Sequence, residues 1–93
     1  MSTPSDRQQP LVGCAVQGRH GILGIVDDVA TDRHGRRELL VIGGRSSLLR
    51  FHVPTGRICD NPAGVRTVAV DADVADFAPR AGSDGSIELY LVV

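Results

Sequence analysis

The fold is decided most clearly by one stretch of six residues, Leu49-Arg50-Phe51-His52-Val53-Pro54. Its apolar side chains alternate with Arg50 and His52, which is the two-residue period of a strand with one face in a core and one face in solvent. Pro54 ends the pattern, because proline supplies no N–H group to a sheet ladder. The stretch therefore predicts a half-buried β-strand that presents Arg50 and His52 on its outer face.

Strand-like segments occur along the rest of the chain, separated by turn signals. They lie at residues 11–17, 22–31, 37–42, 64–70 and 86–93. The turns are rich in Gly, Asp, Asn and Pro, and they lie at residues 18–21, 32–35, 43–47, 60–64 and 83–85. Residues 71–78 have the Asp and Ala spacing of a single helical turn that stops before Pro79. Frequent turns without a long helix predict an all-β sandwich or barrel.

The length and composition indicate one small domain. The chain has 93 residues, of which 42% are hydrophobic and 23% are charged. We expect residues 1–10, which are polar, to form a disordered leader. Residues 11–79 are expected to form the domain, and residues 80–93 to form a C-terminal hairpin or strand that completes the barrel or contacts a second copy.

The charged residues exclude several kinds of chemistry. All ten basic residues are Arg, so a Schiff-base lysine, a P-loop lysine and a lipoyl or biotin attachment site are excluded. The net charge of −1 argues against a domain built mainly to neutralise nucleic-acid phosphates. The first ten residues lack a secretory apolar segment, and no apolar run has the length of a membrane span. We therefore expect a cytoplasmic protein without membrane insertion.

No spacing in the sequence indicates a catalytic, cofactor or metal site. The glycines at positions 18, 21 and 24 lead into a strand, whereas a dinucleotide-binding motif opens a helix. The aspartates at positions 71, 73 and 76 lack the Gly and Glu that complete a calcium loop. The three His and two Cys residues do not have metal-ligand spacing, and Cys14 and Cys59 are expected to be reduced thiols. We therefore predict no catalytic residues, no cofactor and no bound metal.

Several motifs, taken in order, resemble the pattern of the PRC-barrel family. They are Leu11-Val12-Gly13, the segment from Gly21 to Val29, the segment from Gly35 to Ile42, His52-Val53-Pro54, and Val68-Ala69-Val70 with Phe77-Ala78-Pro79. The resemblance covers residues 11–79 and implies a small six-stranded antiparallel barrel that acts as a docking module rather than as an enzyme. Similar barrels occur in a ribosome-maturation factor and in the H subunit of the photosynthetic reaction centre. The segment after Pro79 departs from the pattern and indicates an added C-terminal strand.

Two surfaces are candidates for contacts with partners. The first is a partner face formed by Arg50, His52, Arg57 and Arg66, because arginine makes forked contacts with carboxylates and phosphates. The turn at residues 32–35 is charged as well. The second is the apolar C-terminal segment, in which Tyr90, Leu91 and Val93 are expected to contact a second copy of the chain.

The sequence therefore supports two functional hypotheses. The first is a non-enzymatic protein-interaction module, an adaptor or docking domain that forms a homodimer and binds a protein partner that the sequence does not identify. The second, less favoured, is an RNA- or ribosome-associated barrel involved in RNA processing or ribosome maturation. The second hypothesis requires binding that weakens steeply with salt, and it is weakened by the scarcity of aromatic residues for stacking on bases.

Overall fold

The structure is a computed structural model that describes residues 11–43, 49–62, 64–82 and 85–92. Its eight strands are β1 (Ala15–Gln17), β2 (Ile22–Thr31), β3 (Arg37–Gly43), β4 (Leu49–Pro54), β5 (Ile58–Asp60), β6 (Thr67–Val70), β7 (Phe77–Ala81) and β8 (Ile87–Leu91). Two short 3₁₀ turns, Thr55–Arg57 and Val74–Asp76, precede β5 and β7. The all-β class is thereby confirmed. The predicted leader, most of the turn at 43–47, parts of the turns at 60–64 and 83–85, and Val93 lie outside the described residues.

All eight strands belong to one mixed sheet. The order of hydrogen-bonded neighbours is β5-β6-β1-β2-β3-β4-β8-β7. The pairs β1–β6 and β4–β8 are parallel, and the other pairs are antiparallel. The prediction of a six-stranded antiparallel barrel is therefore wrong, because the sheet is mixed, has eight strands and is not closed. After β4 the chain crosses to the opposite end of the sheet, where β6 pairs with β1. It then crosses back, and β8 pairs with β4. These two crossovers produce the two parallel pairs.

The predicted helical turn at residues 71–78 is only partly present. Asp73 caps the 3₁₀ turn Val74–Asp76, and the Asp76 carboxylate accepts a hydrogen bond from the backbone N–H of Asp73, which forms a capping box. The chain then becomes extended at Phe77 and continues as a strand through Pro79. The segment is short because the reciprocal cap satisfies a single turn, and the chain from Phe77 to Ala81 then pairs with β8.

Pro79 is tolerated in β7 because its nitrogen points away from β8. The Val92 N–H donates to the carbonyl of Asp76, and the Gly82 N–H donates to the carbonyl of Ser86. These bonds set the phase of the antiparallel ladder, so the even-numbered residues of β7 bond to β8 and the odd-numbered residues direct their backbone groups outward. Proline therefore occupies a position on the free side of the terminal strand, where sheets accept it.

One apolar core lies on the inner face of the sheet. It contains Cys14, Val16, Leu23, Val26, Leu39, Val41, Phe51, Val53, Val68, Val70, Ala72 and Phe77. Phe51 of β4 and Phe77 of β7 pack edge to face, with ring centroids 5.1 Å apart. Strands near both ends of the strand order contribute side chains to this single core, so the sheet curls around it. Leu49, Phe51 and Val53 were all expected to face the core; Phe51 and Val53 are buried in it, whereas Leu49 is half-buried and lies outside the core cluster.

Two features of β2 bring the strands around the core. A bulge places Asp27 outside the register between Val26 and Asp28, and bulges increase strand twist. A Cβ atom at Gly24 would overlap the carbonyl group of Ile42 on β3, so glycine is required for this close approach. In the described residues, no helix has the length and apolar character needed to cross a membrane.

Candidate functional site

Six side chains form a polar cluster on the outer face of β3, β4, β8 and β7. We call it the outer-face cluster, and it consists of Glu38, Arg50, His52, Arg80, Glu88 and Tyr90. The parallel register of β4 and β8 places Arg50 beside Glu88 and His52 beside Tyr90. The antiparallel register of β7 and β8 places Arg80 opposite Glu88. The two-residue period turns all of these side chains away from the core.

His52 is held between two carboxylates at the centre of the cluster. Its Nδ1 lies 3.0 Å from Oε1 of Glu38, and its Nε2 lies 2.8 Å from Oε1 of Glu88. The His52 side chain is only 11% exposed. Each ring nitrogen therefore has a carboxylate oxygen within hydrogen-bond distance. Both nitrogens are thus engaged by residues of the cluster.

Glu88 joins the strands of the cluster through both of its oxygens. Oε1 faces His52, and Oε2 accepts a hydrogen bond of 2.9 Å from the Ser86 hydroxyl and lies 3.8 Å from Nη1 of Arg50. Burial raises the pKa of the Glu88 carboxyl, but the hydrogen bonds from His52 and Ser86 and the charges of His52 and Arg50 outweigh it. The pKa of Glu88 therefore lies below its ordinary value, and the carboxylate is charged at neutral pH.

Tyr90 is fixed in place by two contacts. Its ring stacks on His52 with a centroid distance of 4.3 Å and an interplanar angle of 13°. The guanidinium of Arg80 lies over the same ring, 5.2 Å from its centroid. Tyr90 as a whole nevertheless remains 37% exposed. The cluster therefore presents an aromatic surface to solvent with little conformational freedom.

An open cleft of about 460 Å³ adjoins the cluster. Its lining residues are Asp32, Arg33, His34, Glu38, Arg80 and Tyr90. The turn between β2 and β3 supplies the first three of them.

Asp32 organises this turn. Its Oδ1 accepts hydrogen bonds from the backbone N–H groups of His34 and Arg36 at 2.8 and 2.9 Å. The bond from the Arg36 N–H is the largest influence on the pKa of Asp32, which lies below its ordinary value. Gly35 adopts a φ of +78°, which glycine reaches without strain. One wall of the cleft is therefore a well-ordered turn.

A second polar contact lies near the start of β2. Arg19 pairs with Asp71 at 3.2 Å and with Asp76 at 2.6 Å, and His20 Nδ1 lies 2.8 Å from Asp73. The His20 hydrogen bond is the main reason that the pKa of Asp73 lies below its ordinary value. The three aspartates therefore face Arg19 and His20 and join the turn after β1 to the 3₁₀ turn before β7.

The structure brings together two of the four residues predicted as one partner face. Arg50 and His52 meet at Glu88. Arg57 lies in the 3₁₀ turn before β5, where its carbonyl accepts from the Asp71 N–H. Arg66 precedes β6, and its carbonyl accepts from the Ala15 N–H of β1. Arg57 and Arg66 therefore lie next to β5 and β6, which are at the opposite end of the strand order from β8 and β7.

The predicted dimer contact is divided between the two faces of β8. Tyr90 is exposed on the outer face, whereas Leu91 is half-buried and packs against the core. Val93 lies outside the described residues.

Sequence reasoning missed the roles of Glu38, Arg80 and Glu88. The alternation along β8 places Glu88 on the same face as Tyr90, which was a readable signal. That Glu88 meets His52 depends on the parallel pairing of β4 with β8, which no local pattern encodes.

Other reactive groups are separate from this cluster. Cys14 is buried in the core, Cys59 is exposed on β5, and no disulfide joins them. In the described ranges, no group of three or more His, Cys, Asp or Glu side chains is arranged to hold a metal ion. Comparisons of the chain with protein-family models, with curated proteins and with solved structures found no match. The resemblance to PRC-barrel domains therefore stays a prediction from the sequence motifs.

Proposed function

We propose that this chain is a cytoplasmic, non-enzymatic protein-interaction module. Its docking surface is the outer-face cluster together with the adjoining cleft. The observation that supports this best is the stack of Arg80, Tyr90 and His52, in which His52 is anchored on both sides by carboxylates. Such a stack is a rigid surface that needs little reorganisation to bind.

The bonding of His52 favours binding over catalysis. A general base needs a free nitrogen or oxygen within hydrogen-bond reach of the substrate proton. Both nitrogens of His52 already face carboxylates, and each oxygen of Glu88 already has a hydrogen-bond donor. The polar groups of the cluster thus form hydrogen bonds with one another and are not left free for a substrate.

The exposed residues of the surface are suited to a protein interface. Tyrosine and arginine are the types that contribute most energy at interface centres, because they offer large areas and hydrogen bonds together. Tyr90 and Arg80 are both exposed and contact each other. Immobilising them costs a partner little, since their positions are already set by His52 and by each other.

Quantitative affinity capture from native lysate tests the proposal. The bait is compared with Tyr90→Ala and Arg80→Gln, and Arg37→Gln is the control, because it removes the same charge from a residue outside the cleft. We expect a protein that binds the wild type and the control but is depleted at least fivefold with both cleft variants. The purified pair must then reproduce these differences by isothermal titration calorimetry. Partners that bind all four baits equally would contradict the proposed surface.

An RNA- or ribosome-associated function is the second candidate, and one observation favours it. An exposed tyrosine beside an arginine is the kind of platform on which single-stranded bases stack. The net charge of −1 supports it less than it supports protein docking. Binding of RNA with a steep salt dependence that is lost with Tyr90→Ala would favour this candidate.

A homodimer through β8 is an alternative use of the same surface, because Tyr90 cannot contact a second copy and a docked partner at the same time. The backbone of β8 pairs with β4 on one side and β7 on the other, so a contact between copies through this strand must use side chains. Tyr90 is its exposed large side chain on the outer face. Sedimentation equilibrium of the wild type and Tyr90→Ala tests this contact. We expect a dimer that weakens in the variant, and a monomeric wild type would refute it.

A further inference from the structure

The cleft contains two arginines that form no salt bridge within the described residues. Arg33 and Arg80 both line it, and neither forms an ion pair with a carboxylate of the described residues. Arg80 lies opposite Glu88 in the ladder, yet the oxygens of Glu88 are taken up by His52, Ser86 and Arg50. Arg80 instead lies over Tyr90. Two arginines therefore line the same cleft, and each side chain can donate two parallel hydrogen bonds to a carboxylate.

The two acids that line the cleft are already engaged. Asp32 accepts from two backbone N–H groups of its own turn, and Glu38 faces Nδ1 of His52. Both carboxylates thus already have hydrogen-bonding partners within the fold. The arginines are the charged groups of the lining that have no carboxylate partner among the described residues.

The neighbouring sheet edge is closed to strand addition. A peptide that extends a sheet needs outward N–H and carbonyl groups along the terminal strand. In β7 the central outward position is Pro79, which has no N–H group, and the ladder phase described above places it there. A partner at this end of the sheet must therefore be held by side chains.

We infer that the cleft binds an acidic peptide segment of the partner protein, with its carboxylates on Arg33 and Arg80 and its backbone over Tyr90. This inference rests on the proposed docking function. Arginine forks match carboxylates with two parallel hydrogen bonds, which gives both affinity and orientation. The volume of about 460 Å³ suits a few residues of an extended peptide.

A peptide fits the cleft better than a nucleic acid does. Single-stranded nucleic acids need a continuous basic track and several stacking aromatics. The cleft has one aromatic ring, and the charges of Asp32 and Glu38 stand beside the arginines. Single carboxylates of a peptide can contact the arginines and avoid Asp32 and Glu38, whereas a continuous run of phosphates is repelled by these two acids.

Fluorescence anisotropy with short labelled probes tests the inference on the full chain. The probes are a peptide of alternating Glu and Gly, a matched peptide of alternating Gln and Gly, and an oligouridine of similar length. The protein variants are Arg33→Gln and Arg80→Gln, with Arg37→Gln as the charge-matched control. We expect binding of the Glu peptide alone, weakened roughly three- to tenfold by each cleft variant, as is typical of partly exposed charge-assisted contacts.

Three outcomes would overturn the inference: no binding of the Glu peptide, equal weakening by Arg37→Gln, or tighter binding of oligouridine that depends on Arg80. The capture experiment separates this failure from failure of the docking function. If a purified partner is lost with Tyr90→Ala while the Glu peptide does not bind, the inference fails and the docking function stands. If no partner depends on Tyr90 or Arg80, the docking function itself fails.

Discussion

Replacing His52 with alanine is the most informative single perturbation of stability. The variant leaves Glu38 and Glu88, whose side chains are 20% and 15% exposed, without their shared donor and with like charges on the same face. It also removes the stack with Tyr90. A hydrogen bond to a charged group contributes about 1.5–3 kcal/mol and an aromatic pair about 0.5–1.5 kcal/mol beyond its buried area. Allowing for partial exposure, we expect His52→Ala to lower the free energy of unfolding by about 3 kcal/mol.

Chemical denaturation followed by far-ultraviolet circular dichroism measures this loss at neutral pH. His34→Ala is the matched control, because its exposed side chain lies in the turn that Asp32 holds through backbone groups. We expect the control to stay within about 0.5 kcal/mol of the wild type. Tyr90 is the only tyrosine of a chain without tryptophan, so its fluorescence reports on the stack directly. A His52→Ala loss below about 1 kcal/mol, or one equal to that of the control, would refute the reasoning.

Three further predictions concern the carboxylates and the close approach of strands. The pKa of Glu88 is lower in the folded than in the unfolded protein, so the Glu88 carboxylate stabilises the fold above its ordinary pKa of 4.5, and this stabilisation is lost as the pH falls below that value. In an acid titration of stability, the free energy of unfolding of Glu88→Gln should therefore fall less steeply than that of the wild type. Gly24→Ala should destabilise the sheet by about 1–3 kcal/mol in thermal melts, whereas Gly56→Ala, which has open space, should not. Arg19→Ala should cost at most about 1 kcal/mol, an effect that high salt reduces.

Period-two patterns predicted individual strands well. The predicted segment at 22–31 has the bounds of β2, and the alternation in 49–54 placed Phe51 and Val53 inward as found. β5 has only three residues, too few for a periodic signal, and β7 contains Pro79, which reads as a strand end. The sequence did not indicate which strands are neighbours in the sheet, because alternation shows which face a residue occupies and not which strand lies beside it.

The candidate site was predicted in parts for the same reason. Arg50, His52 and Tyr90 were singled out because they are polar or aromatic at outward or terminal positions. Their assembly with Glu38 and Glu88 depends on the register of three strands. Arg57 and Arg66 share the chemistry of Arg50 but lie near β5 and β6, which only the tertiary fold reveals.

The parallel pairing of β4 with β8 has a consequence for the order of folding. The meander of β2, β3 and β4 is built from contacts close in sequence, whereas β1–β6 joins residue 15 to residue 67 and β4–β8 joins residue 49 to residue 87. Contacts distant in sequence must first overcome the entropy of closing long loops, so we expect them to form late. Arg50 and His52 are then placed early, while Glu88, Tyr90 and Arg80 reach them only when β7 and β8 join the sheet. A partner that binds this surface would thus engage only chains that have finished folding.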